Sequence, residues 1–107
     1  MNHDKVIEEE TMSNLEIATN IMELIQGDEK QRQLGFDKFN QNLTKEFINF
    51  LMSRGLNYED AKDVCQITTI KIFKKAKTLK DIKYSRTWMY QILRRSLFDF
   101  AKKRQKY

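Results

Sequence analysis

No proline occurs anywhere in this chain, and only three glycines punctuate its 107 residues. These two residue types interrupt helices most sharply, at costs of about 3 and 1 kcal/mol in a helix interior. A chain nearly free of both is helical wherever apolar residues recur at three- and four-residue steps. That pattern appears four times. "SNLE" at 13–16 reads as a capping box, with Ser13 as N-cap and Glu16 three residues on. Leu15, Ile17, Ile21, Met22, Leu24 and Ile25 then form a short amphipathic helix. Gly27 is expected to end it in a left-handed cap, and Asp28 to cap the next helix. Phe36, Phe39, Leu43, Phe47, Phe50 and Leu51 make one stripe of a helix from about 29 to 54, with Gly35 weakening its start and Gly55 closing it. Asn57 caps a third helix that runs through Val64, Ile67, Thr68, Ile70, Ile72 and Phe73 to about Ala76. The basic connector "KTLKDIKY" leads to a last helix, from near Ser85 to about Lys103. The expected fold is all-α: a small helical bundle of three core helices, plus an N-terminal helix read as an appendage. Residues 1–27 form an acidic leader with this short helix, its first twelve residues frayed, and residues 28–107 form the helical body.

Charge divides the chain at nearly the same place. Residues 1–34 carry eight acids and three bases, while residues 35–107 carry seventeen bases and seven acids. The excess is steepest over residues 71–107, with thirteen bases against two acids. A basic body behind an acidic leader suits a polyanion-binding surface, although lysine enrichment also serves ordinary solvation. No apolar run approaches the roughly 18 residues of a membrane span. The acidic N-terminus lacks a signal-peptide pattern. Cys65, the single cysteine, excludes an internal disulfide, and its half-apolar setting reads as packing rather than nucleophilic chemistry. The expectation is a cytoplasmic protein with no membrane partner.

On a helical wheel the last helix has two faces. Met89, Leu93, Leu97 and Phe100 cluster on a core side. The opposite arc gathers Gln91, Arg94, Arg95, Phe98 and Lys102, with Trp88 at its edge, and the connector adds Lys77, Lys80, Lys83, Tyr84 and Arg86. Cations neutralise phosphates, an aromatic stacks on an unpaired base, and glutamine can read a base edge. The alternative is that Phe98 packs on a neighbouring helix and the arginines are simply solvated.

No catalytic constellation is present. His3 sits in the polar leader as a solvated tail residue, and there is neither a glycine-rich phosphate loop nor a Cys/His cluster. In "EDAKDVCQ", Asp60, Asp63 and Gln66 follow one another at three-residue spacing. Two carboxylates on a helix start, without a loop of further oxygens, make a poor calcium or magnesium site. Neither an enzyme nor a metal or other cofactor is expected.

Three segments, in order, resemble region 2 of bacterial sigma factors, the extracytoplasmic-function group in particular. "GFDKFNQNLTKEFINFLMSRG" is similar to region 2.1, "EDAKDVCQITTIKIFKKA" to region 2.2, and "SRTWMYQILRRSLFDFAKK" to regions 2.3 and 2.4. The likeness covers about residues 28–107. It implies docking on the clamp helices of the core RNA polymerase β′ subunit, and recognition and melting of the −10 promoter element with non-template bases flipped from the stack. Asp60, Asp63, Gln66 and Ile67 fall at polymerase-binding positions. The loop from about Lys77 to Arg86 matches the segment that receives a flipped base, and the polar arc of the last helix matches the segment that meets upstream −10 bases. Four positions depart from the family pattern: Ile67 replaces an acid, Thr69 an aromatic, Arg95 an asparagine and Ser85 a phenylalanine, this last read as a helix cap. No region 4 follows within these residues. That fits a fragment of a longer sigma factor, one half of a split sigma factor whose region 4 lies on another subunit, or a divergent regulator; an anti-sigma factor is a further candidate partner. In the split case the Ser13–Gln26 helix would be a docking element. The competing function is a small helical adaptor that binds only protein through its basic face.

Overall fold

The capping box at residues 13–16 forms. In the computed structural model, which describes residues 13–105, the Glu16 amide donates to Ser13 Oγ and the Ser13 amide donates to Glu16 Oε1, both at 3.1 Å. This opens α1 (Asn14–Gln26). A second reciprocal box, between Asp28 and Gln31, opens α2 (Glu29–Ser53). The expectations for the leader, His3 included, lie outside the described residues.

Gly27 does not take the expected left-handed conformation. Its φ of −73° and ψ of 159° are extended, and a side chain is excluded for another reason: a Cβ would stand 2.6 Å from the Glu23 carbonyl oxygen. The link between α1 and α2 is too tight for anything but glycine. The left-handed cap occurs instead at Gly55, with φ +103°. There the Gly55 amide donates to the Met52 carbonyl at 3.0 Å and the Leu56 amide to that of Leu51 at 3.3 Å, the paired bonds of a Schellman ending. Gly35, expected to weaken α2, is buried where α1 crosses, and a Cβ there would lie 3.2 Å from Glu23 Cβ.

Asn57 caps α3 (Tyr58–Lys75) by accepting the Asp60 amide at 2.8 Å. The connector contains two 3₁₀ turns, Ala76–Thr78 and Ile82–Tyr84. The second leads without a break into α4 (Ser85–Gln105). Ser85 is therefore not a cap. Its backbone is already helical, and its buried hydroxyl donates back to the Ile82 carbonyl.

The described residues contain four α-helices and no strand. Phe39, Leu43, Phe47 and Leu51 of α2, Val64 and Ile72 of α3, and Met89 and Leu93 of α4 are fully buried in one apolar cluster. Ile17, Ile21 and Leu24 of α1 are equally buried in it. α1 is thus a core member rather than an appendage, and its apolar stripe is spent inside the bundle instead of being offered to a partner. Burying a side chain of this size contributes roughly 1.5–3 kcal/mol. Only Leu15 and Met22, at the margins of the stripe, stay exposed. No described helix is long and apolar enough to cross a membrane.

Candidate nucleic-acid interface and docking face

The start of α4 is fixed from below. Glu46 of α2 pairs with Arg86 and accepts the Tyr90 hydroxyl at 2.5 Å. Arg86 Nε also donates to Asn14 Oδ1 of α1 at 2.8 Å. Tyr90 lies edge-on to Phe47 and Phe50, with centroids 5.6 and 5.2 Å away. Burial and the adjacent Glu46 carboxylate push the Tyr90 phenol well above its usual range. Arg86, expected on the nucleic-acid face, therefore turns its guanidinium inward. The buried carboxylate draws it there, and its role is to hold the end of the connector and the first turn of α4 against α1 and α2.

With that end fixed, α4 presents the expected arc. Gln91, Arg94, Arg95, Phe98 and Lys102 are all exposed, Phe98 at 60%. Phe98 does not pack on a neighbouring helix. Arg95 Nε lies 3.3 Å from Asp99 Oδ1 one turn on, in a solvent-facing pair worth little. Trp88 is half-buried and lines a shallow hollow of about 220 Å³ with Gln91, Arg95, Lys71 and Lys75. The two lysines come from α3 and were not singled out from the sequence. The signal was there: Lys71 and Lys75 are one turn apart and share a helix face. In the connector Lys77, Lys80 and Lys83 are exposed, and Lys83 Nζ sits 5.2 Å from the ring centre of Tyr84, itself 56% exposed. Cations interleaved with unburied aromatics thus run from the connector along α4. Such a surface can hold phosphates and stack unpaired bases together.

The second candidate surface is the outer side of α3. Steps of three residues rotate the row Asp60, Asp63, Gln66 gradually across the helix, because three residues fall short of a full turn. Asp60 faces α4, where its two oxygens lie 3.2 and 3.1 Å from Arg104 Nη2. Asp63, Gln66 and Ile67 face solvent, Ile67 at 45% exposure. Gln66 lines hollows on both flanks of α3. One, of about 550 Å³, is shared with Ser96, Asp99 and Phe100 of α4. The other, of about 490 Å³, is shared with Phe36, Asn40 and Thr44 of α2. Ile67 lines the first hollow and Ile70 the second. α3 is therefore a ridge between two grooves, polar at Asp63 and Gln66 and apolar at Ile67 and Ile70. A ridge of this kind can seat a helical partner through hydrogen bonds and apolar contact together.

Cys65, inside the same motif, points the other way. It is buried, its Sγ lies 3.9 Å from the Thr44 carbonyl oxygen, and desolvation pushes its thiol from 9.0 up to about 11. Among the described residues no three His, Cys, Asp or Glu side chains come together as a metal site.

Comparison with known proteins gives one match. The family model described as Sigma-70 region 2 covers residues 41–107, that is, most of α2, all of α3, the connector and α4. No curated protein matches, and no solved structure matches.

Proposed function

From the premise that this chain belongs to the sigma-70 region 2 family, and so to the sigma factors that act in transcription initiation, we propose how its two surfaces divide the work with core RNA polymerase and promoter DNA. The ridge of α3, at Asp63, Gln66 and Ile67 with Asp60 at its edge, docks on the clamp helices of the β′ subunit. The basic, aromatic face of the connector and α4 holds the melted non-template strand of the −10 element. Lys77, Lys80, Lys83 and Tyr84 receive the flipped base. Trp88, Gln91, Arg94, Arg95, Phe98 and Lys102 meet the bases and phosphates upstream of it.

The observation that carries this reading is Phe98, 60% exposed in an arc of cations. A fold that merely needs solubility gains nothing from a phenylalanine there, whereas an unpaired base gains a stacking partner. Arg95, where the family pattern has asparagine, supplies a phosphate contact in place of a base-reading amide, so this position contributes affinity rather than base preference.

Fluorescence anisotropy with a single-stranded −10 oligonucleotide tests the assignment. Binding should be detectable at low salt and weaken steeply as salt is added, because phosphate neutralisation releases counterions. Absence of salt-sensitive binding, both alone and in the presence of core polymerase, would instead favour an adaptor that binds protein only. The split reading has its own test: mass spectrometry of chains that co-purify with the polymerase-bound protein should reveal a second small subunit carrying region 4.

A further inference from the structure

Of the four residues on the docking ridge and its edge, Asp60 alone is shielded. Asp63, Gln66 and Ile67 are exposed, yet the Asp60 side chain retains only 14% of its surface. What covers it is Arg104, in the last turn of α4, whose Nη2 reaches both carboxylate oxygens. The two residues are 44 positions apart, so the pair exists only because α4 returns alongside the start of α3.

We propose that Arg104 is a latch on the docking face. Its guanidinium occupies the place beside Asp60 that a cation of the polymerase would take, so docking exchanges an internal ion pair for an intermolecular one. The proposal rests on the docking reading above. Three features make the exchange feasible. Arg104 is 63% exposed and sits at a helix end, so its side chain can swing away without disturbing the core. Its second contact, with the Phe100 ring 5.2 Å from the guanidinium carbon, is also at the surface and can be remade by the stem alone. The contrast with Arg86 is instructive: that guanidinium is held by Glu46 and Asn14 together, beneath the start of α4. One arginine–carboxylate pair is built to stay closed and the other to open. The consequence is a docking affinity set partly by the end of α4, because polymerase must first displace the chain's own cation.

Removing the latch should therefore strengthen docking. Binding of the full chain to core RNA polymerase is measured by biolayer interferometry for wild type, Arg104→Ala, and Arg104→Gln, which keeps most of the stem over Phe100. Both variants should bind about two- to fivefold more tightly, the range expected for freeing one partner of a solvent-facing pair. The gain should vanish in an Asp60→Asn background, and Lys38→Ala, which removes an exposed charge from α2 far from the latch, should show none. Equal or weaker binding by the Arg104 variants overturns the latch while leaving docking intact. An equal gain in Lys38→Ala overturns it too, since net charge would then explain the effect. If neither wild type nor the Arg104 variants bind polymerase, the docking reading itself falls, and the latch with it.

Discussion

Phe98 and Cys65 are the two residues whose environments differ most from what their chemistry favours alone. Phe98 leaves most of its ring in water, at a cost that only a ligand recovers. Phe98→Ala should weaken binding of the single-stranded −10 oligonucleotide by about 1–3 kcal/mol, roughly 5- to 150-fold. Its effect on unfolding free energy should stay within about 0.5 kcal/mol, because little is packed against the ring. Urea denaturation beside the anisotropy titration separates the two; a loss of stability matching the loss of binding would return Phe98 to a packing role. Cys65 is the reverse case, a reactive group withdrawn from reaction. With its thiol pushed up to about 11 from 9.0, its thiolate fraction at pH 8 is about 100-fold below that of an ordinary thiol. Labelling by a disulfide reagent at pH 8 should be slowed at least that much, and accelerate on unfolding. The linkage sign follows from the raised value. The unfolded chain gives up this proton near pH 9 and the folded chain only near 11, so the contribution is whole below pH 9 and is lost as pH rises toward 11.

At the scale of elements, α1 separates what is written locally from what is not. Its start, its length and its apolar stripe are legible in thirteen residues, because a capping box and a three-and-four spacing are local properties. Its place in the bundle is not, since an amphipathic stripe does not say what covers it. Ile17, Ile21 and Leu24 prove to be core residues. Ile21→Ala should cost about 2–5 kcal/mol in urea unfolding, a large share of what a domain this size possesses. A cost below about 0.5 kcal/mol would mean that α1 is dispensable to the body after all. The same divide runs through the candidate site. The polar arc of α4 follows from its own wheel. The inward turn of Arg86 toward Glu46, 40 residues away, and the Asp60–Arg104 pair, 44 apart, depend on helix packing that no local pattern encodes. Gly27 and Ser85 show a subtler limit. Each was read as a cap from residue type, yet backbone crowding sets one and an unbroken turn-to-helix passage the other.

For the whole molecule the decisive property is that its two surfaces lie on different helices yet share one rigid core. The docking ridge belongs to α3 and the basic face to α4 and the connector, while Val64 and Ile72 on one and Met89 and Leu93 on the other meet in the same buried cluster. A domain so arranged can bridge polymerase and promoter without rearranging, and its two affinities should be separable by mutation. Arg94→Ala with Arg95→Ala removes two exposed cations from the α4 arc and touches nothing on α3. This pair should lower affinity for the −10 oligonucleotide and reduce the magnitude of the salt slope by between one and two, since each lost phosphate contact removes nearly one unit. Binding to core polymerase should be unchanged. Asp63→Ala with Gln66→Ala should do the converse, weakening docking while the oligonucleotide titration and its salt slope stay at wild-type values. Asp63 and Gln66 are the informative pair because both are exposed, whereas substituting Asp60 would also release Arg104 and so perturb α4. If both double variants lose polymerase and DNA binding in parallel, with cooperative unfolding preserved, then one continuous surface serves both partners and the division between α3 and α4 is wrong.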